Sequence, residues 1–197
     1  KGELVPRTEK TLRWAPWATQ KAQVVRAPSV LLWYWVVVGV AAILGILLVI
    51  PIGGGGMISG MACAIKQLRP DATVIGVEPF GADSMTQSFA AGEPVRIDKV
   101  ATIADSLGAP LAMPMTYAVA RAYVDEIVRI EDAEMLRAMD IYQNVLRITA
   151  EPACAASLAA IIGPLKDRLS GRHVGIIACG SNISLARYSA LMKALED

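Results

Sequence analysis

The chain has 197 residues, a formal net charge of +1 and an apolar fraction of 54%. That length allows one large domain or slightly more with a real core, and the near-neutral charge argues against nucleic acid or another strongly charged partner. Cys63, Cys154 and Cys179 are odd in number and lack C-x-x-C spacing, which argues against a disulfide framework or a structural zinc site and points to a reducing, cytoplasmic setting.

Residues 1–26 are basic and irregular, with Trp14, Pro16 and Trp17 interrupting any helical period. Val30–Ile50 is almost wholly apolar, and its length and flanking basic and aromatic residues meet the criterion for a membrane-spanning helix. Three readings of residues 1–46 stay open: an unrelated or misframed segment, a membrane anchor, or two buried strands of a rearranged core. The anchor is disfavoured, because the run leads straight into Leu47–Ile52, which reads as a mid-sheet strand.

Gly53-Gly54-Gly55-Gly56-Met57 follows that strand and opens a helix. Four glycines can turn sharply, adopt positive φ without penalty and expose successive backbone N–H groups. The helix aims its positive end into the same space, so strand, turn and helix form a phosphate cup. A glycine run alone is more often a flexible linker, but the apolar flanks reverse that reading in favour of the cup. The helix from Met57 closes at Arg69-Pro70-Asp71, and Thr73–Val77 is a buried strand ending at Glu78-Pro79. Helices are predicted over Asp83–Ala91 and Tyr117–Val124, a strand over Glu126–Ile130, and a helix capped by Asp132 running to about Ile148. A helix over Ala153–Leu169, a buried strand over His173–Ala178 and a closing helix from Leu185 complete the chain. Asp125-Glu126 and Glu131-Asp132 read as solvated element ends, and His173 as structural. Alternating strands and helices imply a three-layer, mainly parallel α/β sheet covered on both faces, with ligands at the carboxyl ends of its strands. The glycine run, Glu78-Pro79 and Cys179-Gly180-Ser181-Asn182 all fall there.

PIGGGGMISG (Pro51–Gly60), GVEPFGADSM (Gly76–Met85), TIADSLGAP (Thr102–Pro110), EPACAASLAA (Glu151–Ala160) and IACGSNIS (Ile177–Ser184) occur in this order. Residues 47–197 thereby resemble the C-terminal half of the threonine/serine dehydratases and serine racemases, pyridoxal-phosphate enzymes of the tryptophan synthase β fold. The resemblance implies that the amides of Gly53, Gly54, Gly55, Gly56 and Met57 bind the cofactor phosphate. It places Cys179 against the pyridine nitrogen, where a neutral thiol leaves the ring a mild electron sink, and Glu151 near the ring. Without it, Cys179 would be read as a small buried residue at a strand end. Glu78, the Ala82 carbonyl and Ser84 match positions that bind a stabilising cation (Mg²⁺, Ca²⁺ or a monovalent ion). Some relatives carry Asp at Ser84, so affinity there is expected to be weaker; a locally hydrogen-bonded Glu78 is the alternative. Cys154 stands where many relatives carry Gly and is expected to crowd the ring side, while Asn182 is expected to hold its turn.

The family's Schiff-base lysine sits on an S-F-K-x-R-G-type motif that is absent here, and none of Lys1, Lys10, Lys21, Lys66, Lys99, Lys166 or Lys193 has those neighbours. The expectation is a truncated ammonia-lyase, acting in intact form on a small amino acid and forming homo-oligomers, but inactive as this chain alone. Its rival is a non-catalytic, membrane-tethered module that binds a phosphorylated metabolite.

Overall fold

An unbroken apolar run can be a strand only if both faces are covered, and Leu47–Pro51 (β1) is buried at every residue. The computed structural model describes residues 47–196, so the three readings of residues 1–46 and most of the candidate membrane span lie outside it. The last four residues of that span, Leu47–Ile50, belong to β1 and therefore not to a bilayer helix. No helix among the described residues is long and apolar enough to cross a membrane.

After β1 come α1 (Gly56–Leu68), β2 (Thr73–Pro79), α2 (Ser84–Ala91), α3 (Pro114–Tyr123), β3 (Glu126–Ile130) and α4 (Asp132–Ile141). Then follow α5 (Pro152–Ile162), the short α6 (Lys166–Leu169), β4 (Val174–Ile176) and α7 (Leu185–Glu196). The described strands form one sheet in the order β3-β2-β1-β4, every pairing parallel. Leu47 stands opposite Thr73 on one side and Val174 on the other. Successive residues of β1 serve opposite faces, as the two-residue strand period requires. Leu47 and Val49 pack with Met135 and Met139 of α4, Ala156 of α5 and Tyr188 of α7. Leu48 and Ile50 pack with Ile58 and Ala62 of α1, Met85 of α2 and Ala120 of α3. The expected three-layer arrangement is present, and the parallel strands bring the ends of β1, β2 and β4 to one edge.

Several boundaries differ from expectation for local reasons. α4 is capped by Glu131, whose N–H donates to the Glu134 carboxylate at 2.7 Å. The Asp132 carboxylate instead accepts from Thr102 Oγ1 and Ile103 N at 2.7 and 3.0 Å. α4 stops at Ile141 in a π-helical turn over Tyr142–Leu146, closed by Arg147 at φ 58°, and so falls short of Ile148. The helix expected over Ala153–Leu169 is broken after Ile162, where Gly163 is pressed against Glu134 and Pro164 cannot donate. β4 is shorter than His173–Ala178 and only half-buried, pairing with β1 alone, and His173 is exposed beside it. The acidic pairs are not simply solvated. Asp125 accepts from Val74 N at 2.7 Å and pairs with Lys66, and Glu126 pairs with Arg168.

Candidate active site

The chain leaves β1 at Pro51 and enters α1 through the glycine run. Gly55 caps α1 in the left-handed region, at φ 83° and ψ −4°, a conformation that glycine alone adopts freely. The first-turn amides of any α-helix lack intrahelical acceptors, and here they open on the same side as the glycine turn. A methyl group added at Gly54 or Gly56 would meet nothing within 4 Å, so the space beside the run is open. At Gly53 the same group would come within 2.6 Å of the Ser106 carbonyl, because the Ser106–Leu107 turn crosses there as a wall. The cavity so enclosed measures about 340 Å³ and is lined by Gly53–Ile58, Ser106, Leu107, Glu151, Ala153 and Cys179. That volume suits a small organic cofactor.

Glu151 caps α5, and its N–H donates to Gly180 O at 3.2 Å, tying the α5 N-terminus to the loop after β4. Its carboxylate accepts from Ser106 Oγ at 3.2 Å. Cys179 lies on the wall formed by that loop, and desolvation, reinforced by Cys154 and Glu151, pushes its thiol above the ordinary 9.0. It is therefore a neutral S–H donor at physiological pH. Backbone donors and a neutral thiol lining one cavity suit a flat ring that carries a phosphate.

The family described as pyridoxal-phosphate dependent enzyme matches residues 46–180. The chain belongs to that family. It is 43% identical over 141 residues to phenylserine dehydratase of Ralstonia pickettii, covering 72% of this chain and 43% of that protein. Over 142 residues it is 38% identical to serine racemase of Arabidopsis thaliana, covering 70% of this chain and 43% of that one. The processed form of threonine deaminase isoform 2 from Solanum lycopersicum superposes with a TM-score of 0.72 at 29% identity, over 76% of this chain and 44% of that chain. The chain thus spans a little under half the length of these relatives.

Among the described residues of this pyridoxal-phosphate dependent enzyme, Glu151, Cys179 and the five cup residues all line one cavity. Cys154 is buried in the core and does not line the cavity, though it lies close enough to Cys179 to raise its thiol. The turn at Asn182 is closed not by its side chain but by Ile183 N donating to Ser181 O at 2.8 Å, and Asn182 lines the neighbouring cleft. Glu78, Ala82 and Ser84 are each almost wholly buried. Both Glu78 oxygens, however, are taken by the N-terminus of α2. Oε1 accepts from Met85 N at 2.9 Å, and Oε2 accepts from Thr86 N and Thr86 Oγ1 at 2.7 and 2.6 Å. No cluster of three or more acidic, His or Cys side chains suited to a metal occurs among the described residues. Glu78 therefore serves as a side-chain cap for the N-terminus of α2. Burial, opposed by those hydrogen bonds, pushes Glu78 up to about 7.

None of the lysines among the described residues lines the cavity, and Lys66 is held by Asp125 at 2.7 Å. Two contributors were not foreseen from the sequence. Ser106 builds the wall opposite the glycines, and Thr116 donates to the Gly54 carbonyl at 2.8 Å. TIADSLGAP marked the first region without giving it a role, and nothing local marked the second.

Proposed function

We propose that this chain is the cofactor-binding portion of a pyridoxal-phosphate dependent ammonia-lyase that converts a β-hydroxy amino acid to a 2-oxo acid and ammonia. The observation that supports this most is one cavity lined by both the glycine run and the neutral Cys179 thiol. When bound, pyridoxal phosphate would supply the electron sink for cleavage at the substrate's Cα. The amides of Gly53–Met57 would hold its phosphate dianion with charge-assisted hydrogen bonds. Cys179 Sγ–H would donate to the ring nitrogen without placing a charge beside it. Glu151, held by Ser106 and the Gly180 backbone, would keep the ring-side wall in place and exclude water there.

Among the described residues, none that lines the cavity offers an amine to the cofactor aldehyde or a lysine base to the substrate's Cα–H. We therefore infer that this chain alone binds the cofactor non-covalently, weakly at best, and does not turn over. The test adds pyridoxal phosphate and a panel of L-serine, L-threonine, threo-3-hydroxyaspartate and phenylserine to the purified chain, with 2-oxo acid read as its hydrazone. The expected result is no product alone, and product once a polypeptide carrying the lysine-bearing half of a relative is added. Turnover by the chain alone, lost on replacing a single lysine, would refute the inactivity. Inverted amino acid in place of 2-oxo acid would reassign the reaction as racemisation.

A further inference from the structure

We propose that Thr116 is a positioning residue for phosphate recognition: its hydroxyl holds the Gly54–Gly55 peptide in the orientation that turns the Gly55 N–H into the cup. This rests on the reading of the glycine run as a phosphate cup. Thr116 sits in the first turn of α3, outside the cavity, and its Oγ1 lies 2.8 Å from Gly54 O and 3.1 Å from Met113 O. The shorter contact runs to the glycine loop. Thr116 is itself tied to α1, because its carbonyl accepts from Ser59 Oγ at 2.9 Å.

In a planar trans peptide, the C=O of one residue and the N–H of the next point in opposite directions. The Gly54 carbonyl is drawn outward to Thr116, so the Gly55 N–H points to the cavity side. This peptide has glycine on both flanks, and no Cβ resists its rotation. Gly55 stands at φ 83°, where the outer side is filled by Thr116 and by Met85 Cε, each within 3.0 Å of where a Cβ would stand. A flip would aim the Gly54 oxygen at the phosphate and withdraw a donor, replacing attraction with repulsion. The same flip would disturb the left-handed Gly55 cap of α1, and the Thr116 hydrogen bond adds to that preference for the binding orientation.

The test compares the full chain with Thr116→Val and Thr116→Ser, using equilibrium dialysis of pyridoxal phosphate and of pyridoxal, which lacks the phosphate. The ³¹P shift of the bound cofactor gives a second reading. The valine variant should lose about fivefold in affinity for pyridoxal phosphate, the equivalent of about 1 kcal/mol, with pyridoxal unchanged. The serine variant should match the native chain in both the affinity ratio and the ³¹P shift. Thr116→Ala, which adds no bulk and suits a helix, gives the same comparison if the valine variant does not fold. An unchanged ratio in the hydroxyl-free variants, or equal loss of both ligands, would overturn the role of Thr116. A native chain that binds pyridoxal as well as pyridoxal phosphate would overturn the cup itself, and this proposal with it.

Discussion

Glu78→Gln tests whether a buried carboxylate can cap a helix without a cation. Glu78 is fully buried, and its ordinary value of 4.5 is pushed up to about 7, chiefly by desolvation. Between those values the unfolded chain gives up the proton while the folded chain keeps it. Stability from this group is therefore fully present below pH 4.5, falls as pH rises toward 7 and levels off above. The gap corresponds to about 3 kcal/mol. The protonated acid is well served by the site. Its proton can lie on the 2.6 Å contact with Thr86 Oγ1 while both oxygens still accept from the α2 backbone. An amide cannot do this, because one of its hydrogens faces the Thr86 N–H, at a cost of about 1–3 kcal/mol. Urea unfolding of the native and variant chains should therefore show the native protein ahead by that amount near pH 4.5. By pH 8 the difference should have closed or reversed, since the variant carries no buried charge. Asp83 and its partner Arg129, the nearest charged pair, are common to both proteins and cancel. A stability difference that stays constant from pH 4.5 to 8 would refute the reasoning.

The cup makes two neighbouring glycines unequal. Gly53→Ala should cost about 1–3 kcal/mol, because its methyl would press on the Ser106 carbonyl and Leu107 Cα, whereas Gly54→Ala should unfold with the native chain yet bind pyridoxal phosphate less well. Equal unfolding midpoints in urea would show that the Ser106 wall does not lie where it is described. Tyr142→Phe should be neutral or stabilising by up to about 1 kcal/mol, because the Tyr142 hydroxyl is buried without a partner and burial holds its ionisation up to about 12. A loss beyond about 1 kcal/mol in the same assay would reveal a bound water or another partner.

The sequence was readable wherever structure depends on neighbours in the chain. Leu47–Ile52 had to be a covered strand, the glycines had to turn, and Gly92 had to stop α2, as its φ of 81° bears out. A shift of one residue was enough to spoil a finer reading. Capping passed from Asp132 to Glu131, which freed Asp132 to hold Thr102 and Ile103, and with them the loop that carries Ser106. The residues least visible were those whose partners are remote, since Thr116 and Gly54 meet across 62 positions of chain. Glu78 shows what a matched position leaves unsaid. Residue type and spacing put a carboxylate at the end of β2, but what balances it depends on where the next helix begins. α2 begins at Ser84, so its first free amides come from Met85 and Thr86, directly over the carboxylate. A second carboxylate at position 84 would then stand beside Glu78 and Asp83, with the Met85 and Thr86 amides already given to Glu78.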